Sequence, residues 1–442
     1  MNSPQKNIRT PRGISSVSPT KAKLCYCRSV MVPSLDFDVA IIGGGIAGAA
    51  IARDAALRGL TTVLFEKNTF GSGASSKSSK LIHGGIRYLE TAWERLKQGD
   101  LRESWKNLRF VFSALRESRI LRKIAPDLVT PHPILIPIYA SDKRSRWIIY
   151  LGAILYSKLT FFAGSFRRPR LYFSAKTVLK ELPELDNAGL VGAVKIWDHV
   201  TDDLKLVLAL IGSARAHGAA CFEHAEVASY RHDFQKNAFE LKLTGGSGPK
   251  KVWTRKLINA GGAWVDEIRE RGKEHEKDFI LPIAGAHINV KRFLPHSVLL
   301  QAQDGRFFFV NNLGELSRIG TTERTVKNLD KVNATADEVD YLLRSVSRYF
   351  PAVKLTKKDV LSTDAGVRPL AAPGFSQDLS HISREHMIRV GPTGVVHVIS
   401  VKLTDHRRAA QEVLDRLIPS LLSVCPKAKR KTSTHRIPLT QK

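Results

Sequence analysis

The sequence predicts an α/β fold in which a Rossmann-like dinucleotide-binding domain carries a second domain built on an antiparallel sheet. A strand, a glycine-rich turn, a helix and a second strand follow one another from Asp36 to Glu66. Alternating apolar runs separated by turn residues then fill 282–321. At 442 residues the chain is long enough for two or three domains.

Each element has its own signal. Phe37-Asp38-Val39-Ala40-Ile41-Ile42 reads as a buried strand, Ala49 to Arg58 as a small-residue helix, and Thr61 to Glu66 as the next strand, which together make a βαβ unit. Further on, Pro282–Phe293, Ser297–Gln303, Arg306–Val310 and Glu315–Thr321 alternate as half-buried strands do, with Asp304-Gly305 and Asn312-Leu313-Gly314 as hairpin turns. Thr335-Ala336-Asp337-Glu338 is a capping box opening a helix whose apolar positions run from Val339 to Phe350, until Pro351.

Composition excludes several classes. Hydrophobic residues at 43% and charged residues at 25% rule out a disordered, collagen-like or coiled-coil chain. The four cysteines, Cys25, Cys27, Cys221 and Cys425, form no C-x-x-C pair, so neither a disulfide framework nor a metal site is expected. A formal charge of +28 suits nucleic acid, an anionic membrane surface or a phosphorylated substrate. The bases are spread along the chain without interleaved aromatics, so nucleic acid is not expected as a partner. Residues 1–35 hold six Lys or Arg and no carboxylate, and read as a basic disordered or targeting extension.

Gly43-Gly44-Gly45-Ile46-Ala47-Gly48 fits G-x-G-x-x-G in the required context, after a strand and at the start of a helix, with Glu66 ending the next strand. Gly43 permits the turn, Gly45 admits a pyrophosphate, Gly48 allows close helix packing, and Glu66 would accept ribose hydroxyls. The motif alone does not separate FAD from NAD. The small, hydroxyl-rich stretch 71–90 can wrap a long cofactor and equally fits a solvated loop.

Ser78-Ser79-Lys80-Leu81-Ile82-His83-Gly84-Gly85 followed by Arg87-Tyr88-Leu89-Glu90 resembles the signature of FAD-dependent, quinone-linked glycerol-3-phosphate dehydrogenases. Matches continue in order through Thr201-Asp202-Asp203, Asn259-Ala260-Gly261, Gly285-Ala286-His287-Ile288, Gly320-Thr321-Thr322-Glu323, Gly366-Val367-Arg368-Pro369-Leu370 and Lys402-Leu403-Thr404. The resemblance implies a D-amino-acid-oxidase-like fold and FAD held by Gly43, Gly45, Gly48, Glu66, Ser75, Ser76, Ser79, Lys80, Leu81, His83, Gly84, Gly85 and Thr404. It also implies oxidation of glycerol 3-phosphate, with electrons passed to a membrane quinone. Arg87, Tyr88, His287, Arg368 and Lys402 would line the substrate pocket: Arg368 and Arg87 for the anionic end, His287 as base, and Lys402 beside flavin or substrate. Other readings are an FAD oxidoreductase acting on an amino or 2-hydroxy acid, and a catalytically weakened flavin-binding or interaction protein.

The chain departs from the family pattern in the Lys402 loop. Ser400-Val401 replaces Gly-Gly, so a β-branched Val401 is expected to alter the loop. Asp405-His406 replaces Thr-Tyr, bringing an extra carboxylate toward the flavin. Compared with longer members, a C-terminal helical domain beyond Pro438-Leu439 is expected to be absent.

The expected FAD-binding domain comprises 36–110, 195–270 and 360–415, the substrate or cap domain 111–194 and 271–359, and a basic C-terminal tail 416–442. Residues 143–170 pair an apolar run with basic flanks, which suits a helix lying on an anionic membrane surface. The expected location is cytoplasmic and peripheral on the inner face of the membrane, or mitochondrial if the extension is a transit peptide. A homo-oligomer is compatible with the sequence.

Overall fold

Val39, Ala40 and Ile41 are wholly buried in succession, as a strand covered on both faces requires. They belong to β1 (Phe37–Ile42), which leads through the glycine turn into α1 (Ile46–Leu57) and β2 (Thr62–Phe65). The computed structural model describes residues 35–442 except 143–144, 163–167, 247, 276–277, 373–385 and 440–442, and it leaves out the side chains of Arg87 and Phe162. The expectations for the N-terminal extension, for Lys143, Arg144 and Arg167, and for the Arg87 side chain lie outside the described residues.

Next come β3 (Leu81–Ile82), α2 (Ile86–Lys97), α3 (Leu101–Ile124), β4 (Val129–Tyr139), α4 (Arg146–Phe162), β5 (Arg170–Tyr172) and α5 (Ala175–Leu179). They are followed by β6 (Leu190–Thr201), α6 (Asp203–Ala216), β7 (Ala220–Phe222), β8 (Glu226–Asp233), β9 (Ala238–Thr244), β10 (Lys251–Asn259) and α7 (Val265–Arg271). The chain continues with β11 (Ile280–Lys291), β12 (Ser297–Gln301), β13 (Phe307–Leu313), β14 (Leu316–Gly320), β15 (Arg324–Thr325) and α8 (Ala336–Ser347). It closes with β16 (Val360–Ala371), β17 (Met387–Val390), β18 (Val396–Ile399) and α9 (His406–Leu421).

Two sheets result. The first runs β17-β18-β10-β1-β2-β7, with β9 and β8 added beyond β10. Its centre is parallel, β18 to β10 to β1 to β2 to β7. The second runs β15-β11-β14-β13-β12-β4-β6-β3, with β16 on β11 and β5 on β6, and is antiparallel apart from the β12/β4 pair. Alternation splits its side chains between two cores: Leu135 and Val298 face α5 and α8, whereas Ile134 and Leu299 face α2, α3 and α4. The expected capping box forms, with Thr335 and Glu338 each bonding the other's backbone N–H.

The domain boundaries need two corrections. β16, expected in the dinucleotide-binding part, pairs with β11 in the second sheet from Ile280↔Ala371 to Val290↔Val360, because its alternating residues serve that sheet's two faces. Residues 416–439, expected as a basic C-terminal tail, pack against the first helix. Arg53 in α1 and Arg58 at its C-cap are buried, at 1% and 0% exposure, and buried guanidinium groups need acceptors. Arg53 donates to Thr434 O at 3.2 Å and Ile437 O at 2.7 Å, while Arg58 donates to Arg430 O at 3.0 Å and Asp415 at 2.7 Å. Burial lowers the Arg53 pKa to about 10. The segment after α9 therefore supplies the carbonyls that two helix arginines require.

Deleting residues 426–442 should thus lower stability by roughly 3 kcal/mol or more, the scale of losing several hydrogen bonds to charged donors. Urea unfolding measures this, and an unchanged midpoint would mean the segment is dispensable.

Candidate functional site

The carboxyl ends of β18, β10, β1 and β2 open on one cleft, the place where open parallel sheets bind ligands. Gly43, Gly45, Glu66 and Ser75 line it on one side, and Gly366, Pro369, Ser400 and Val401 on another. Gly43 has φ of +105°, and a Cβ there would stand 2.6 Å from the Ala260 carbonyl oxygen. A Cβ on Gly48 would stand 1.9 Å from Gly43 O, so this glycine sets how closely α1 approaches β1. A Cβ on Gly45 meets nothing nearer than Ser75 Oγ at 3.0 Å; its small size keeps the cleft open.

The start of α1 has no side-chain cap. Instead Gly44 N donates to Glu66 Oε2 at 2.6 Å and Ile46 N to Ser75 Oγ at 2.9 Å. Two oxygens, one of them anionic, thus stand at a helix N-terminus, where a phosphate would be favoured. The donor set and the glycine cradle fit a dinucleotide.

Other residues expected around the cofactor sit beyond this lining. Ser76 ends the short helix 74–76. Ser78 donates through N and Oγ to Asp203 Oδ2, at 3.1 and 2.7 Å, and Lys80 pairs with the other oxygen of this fully buried carboxylate. Leu81 is buried in β3. His83 N donates to Thr404 Oγ1 at 3.1 Å, tying the 83–85 loop to the loop that follows Lys402. Gly84 N donates to Tyr156 Oη at 2.9 Å, and Tyr156 Oη donates to Asp198 Oδ1 at 2.5 Å. Burial pushes Asp198 up to about 7. A side chain on Gly84 would strike Leu115, and one on Gly85 would strike the Tyr88 ring.

The candidate catalytic side chains come from the second sheet, from α2 and from the loop after β18. His287 on β11 lies 3.0 Å through Nε2 from Ser79 Oγ, with Nδ1 3.8 Å from Asp364. Arg318 grips Asp364 with two bonds of 2.6 and 2.7 Å. Burial, then the nearby Arg318, Arg368 and Lys80 charges, hold His287 well below its usual pKa, so the imidazole is neutral. Arg368 on β16 donates to Thr321 Oγ1 at 2.6 Å and lies 3.5 Å from Glu323. Lys402 Nζ donates to Tyr88 Oη at 2.7 Å and lies over the Tyr88 and Phe110 rings at 4.6 and 4.5 Å. Arg87 is on α2 beside Tyr88, its side chain outside the described residues.

The Lys402 loop shows how the departures from Gly-Gly and Thr-Tyr are accommodated, and it corrects the expectation for Asp405. Left-handed φ, +59°, falls on Ser400, whose hydroxyl bonds Pro369 O; Val401 avoids that region. The Asp405 carboxylate turns to Arg408 Nε at 2.7 Å and to His386, and His386 also meets Glu412 at 2.8 Å. It therefore anchors α9 as part of a charge-balanced cluster.

Asp203, Arg318, Asp364, Asp198 and Tyr156 were not singled out as site residues by the sequence. The paired carboxylates of Asp202-Asp203 gave a signal: Asp202 caps α6 and Asp203 is left for the 78–80 segment. For Arg318 with Asp364, strand pairing across β11 makes the contact, and no spacing announces it.

Burial alone would lower His386, but the Asp405 and Glu412 carboxylates outweigh it and raise its pKa to about 9. A raised histidine stabilises the fold fully below its ordinary 6.5, and the contribution is lost as pH rises through 9. Wild-type stability should fall between these values by roughly 3 kcal/mol, while His386→Gln should be flat there. Urea unfolding across this range checks it; parallel profiles would contradict the assignment.

Comparison with known proteins agrees with this architecture. The family profile described as "DAO: FAD dependent oxidoreductase" matches residues 38–428. The chain is 34% identical to a probable mitochondrial glycerol-3-phosphate dehydrogenase of Caenorhabditis elegans, over 87% of this chain and 53% of the relative. It thus spans about half of that protein's length. It is 31% identical to the aerobic glycerol-3-phosphate dehydrogenase of Staphylococcus saprophyticus, over 88% of this chain and 68% of the relative. The crystal structure of the Bacillus halodurans glycerol-3-phosphate dehydrogenase complexed with FAD superimposes with a TM-score of 0.69 at 26% identity, covering 92% of this chain and 68% of that one. With its glycine cradle, strand-end cleft and these matches, the chain belongs to the DAO family of FAD-dependent oxidoreductases.

Proposed function

We propose that this protein oxidises sn-glycerol 3-phosphate to dihydroxyacetone phosphate and delivers the electrons to a membrane quinone. The observation that carries the reading is a pair of cations next in the chain to residues that line the cleft. Pro369 and Val401 line it, and their chain neighbours are the cations Arg368 and Lys402. Similarity to glycerol-3-phosphate dehydrogenases supports the same substrate.

FAD would lie along Gly43, Gly45, Glu66 and Ser75 toward Gly366 and Val401, and when bound supplies the hydride acceptor. Gly48, Ser76, Ser79, Lys80, Leu81, His83, Gly84, Gly85 and Thr404 would support it mainly by fixing the surrounding loops.

Arg368, aided by Arg87, binds the phosphate of the substrate, its planar fork matching phosphate oxygens. Thr321 holds Arg368 in place. Neutral His287 takes the hydroxyl proton at Nε2, now hydrogen-bonded by Ser79. Asp364, itself gripped by Arg318, faces the other ring nitrogen and favours the imidazolium once formed. Lys402, steadied by Tyr88, supplies positive potential where electron density accumulates.

The membrane part of the reading rests on α4. Its inner face, Tyr150, Ala153 and Tyr156, is core. Its outer face leaves Trp147, Leu151 and Phe161 about 60% exposed, at 60%, 61% and 58%. α2 and α3 pack against α4 and add exposed Trp93, Leu101 and Trp105, which the sequence pattern had not indicated. Arg146, Lys158, Arg168 and Arg170 are exposed cations in the same stretch. Among those residues no helix is long and apolar enough to cross a membrane, so attachment would be interfacial.

Two measurements test this. Arg368→Ala should lower kcat/KM for glycerol 3-phosphate in a dye-linked assay by ~30- to 1000-fold, the scale of one charge-assisted contact, with FAD content unchanged; near-normal activity would end the assignment. Wild type should sediment with anionic liposomes and Trp147→Glu/Leu151→Glu should not, and a protein that stays in the supernatant beside anionic liposomes at low salt would remove the membrane quinone from the account.

A further inference from the structure

A second hollow lies outside the FAD cleft, along α9. Arg407, Gln411, Asp415, Ile418 and Leu422 recur every three or four residues on one face of this helix, spanning ~22 Å at 1.5 Å per residue. α3 and the segment 430–435 form the other walls of a groove of ≈ 620 Å³. Ile120, Ile418, Pro419 and Leu422 give it an apolar lining, in which Pro419 is exposed, Ile120 and Leu422 half-buried and Ile418 buried.

The rim is cationic and poorly compensated. Arg116, Arg430 and Lys431 are exposed there. None of their side chains pairs with a carboxylate among the described residues. Arg407 is already matched by Glu117, at 2.5 and 2.6 Å. The one carboxylate lining the groove, Asp415, is held by Arg58 at 2.7 Å. His435, also in the wall, is lowered by burial and then by Arg407, Arg436 and Arg116, against an opposing pull from Glu117. A rim of like charges repels itself and is relieved by an anion. An anion alone would leave Pro419, Ile120 and Leu422 partly in water; an aliphatic chain alone would leave the cations unmatched.

We propose that the α9 groove binds an anionic amphiphile, a phosphate head on an aliphatic chain, with the head among Arg116, Arg430 and Lys431 and the chain on Ile120, Ile418 and Leu422. The source is either a free single-chain molecule or a phospholipid in a bilayer. This site is separate from the proposed catalytic groups and does not depend on the substrate assignment.

The test is calorimetric titration of the FAD-loaded full chain with decyl phosphate below its critical micelle concentration. The comparison is the variant Arg116→Gln/Arg430→Gln/Lys431→Gln, whose changes are all on exposed side chains and whose flavin spectrum and urea midpoint report that it folds. Saturable binding by wild type, at least tenfold weaker in the variant and at least tenfold weaker for inorganic phosphate or decanol, supports the groove. Vesicles of phosphatidylcholine with and without phosphatidic acid then separate the sources. With both proteins also carrying Trp147→Glu/Leu151→Glu to remove the proposed α4 attachment, selective loss of phosphatidic-acid binding on adding the groove changes assigns the groove to bilayer lipid, and no groove-dependent vesicle binding assigns it to the free amphiphile. Equal affinity in wild type and variant, unsaturable uptake, or inorganic phosphate binding as tightly as decyl phosphate would overturn the proposal.

Discussion

At the turn between β1 and α1, a Cβ on Gly48 would lie 1.9 Å from the Gly43 carbonyl oxygen, so the helix is seated as close to the strand as backbone permits. That contact fixes where the first N–H groups of α1 point. It also forces the helix to be made of small residues on its sheet side, such as Ala49 and Ala52, both wholly buried. The cleft at the strand ends follows, because the ends of β2, β10 and β18 are ranged beside the same turn. Since α1 is buried nearly all round, its two arginines have to be satisfied internally, and Asp54, Asp415 and the carbonyls of 430–437 are organised to do so.

The second sheet gathers the candidate catalytic side chains. β11 and β16 run antiparallel, which places His287 opposite Asp364 and Arg368 opposite Ile283. Arg318 reaches Asp364 from β14, the other neighbour of β11. A buried histidine flanked by guanidinium groups stays neutral, and a neutral imidazole can accept a proton. The 78–80 segment joins the two parts: Ser78 and Lys80 are anchored on Asp203 of α6, while Ser79 reaches His287.

Much of this was legible before any coordinates. The βαβ unit, the hairpins of 282–321 and the Thr335 capping box are local patterns, decided by residues near in sequence, and the structure forms them. The glycine cradle was legible for the same reason. The pairing of Arg318 with Asp364, the support of Gly84 by Tyr156 and Asp198, and the docking of 425–439 on Arg53 and Arg58 join residues far apart in the chain. No periodicity encodes them. Ser400 shows a subtler limit: the loop's departure from Gly-Gly was visible, but which of the two residues carries the left-handed φ depends on how its hydroxyl finds Pro369 O.

The central claim is that the cleft presents a phosphate-bearing secondary alcohol to bound FAD. Anaerobic mixing of the FAD-loaded protein with glycerol 3-phosphate, glycerol, lactate and glycine, followed through the visible flavin absorbance, tests it without any external acceptor. The account predicts rapid bleaching by glycerol 3-phosphate and none of comparable rate by unphosphorylated glycerol or by either acid. Bleaching by lactate or glycine, with glycerol 3-phosphate inert, would contradict it.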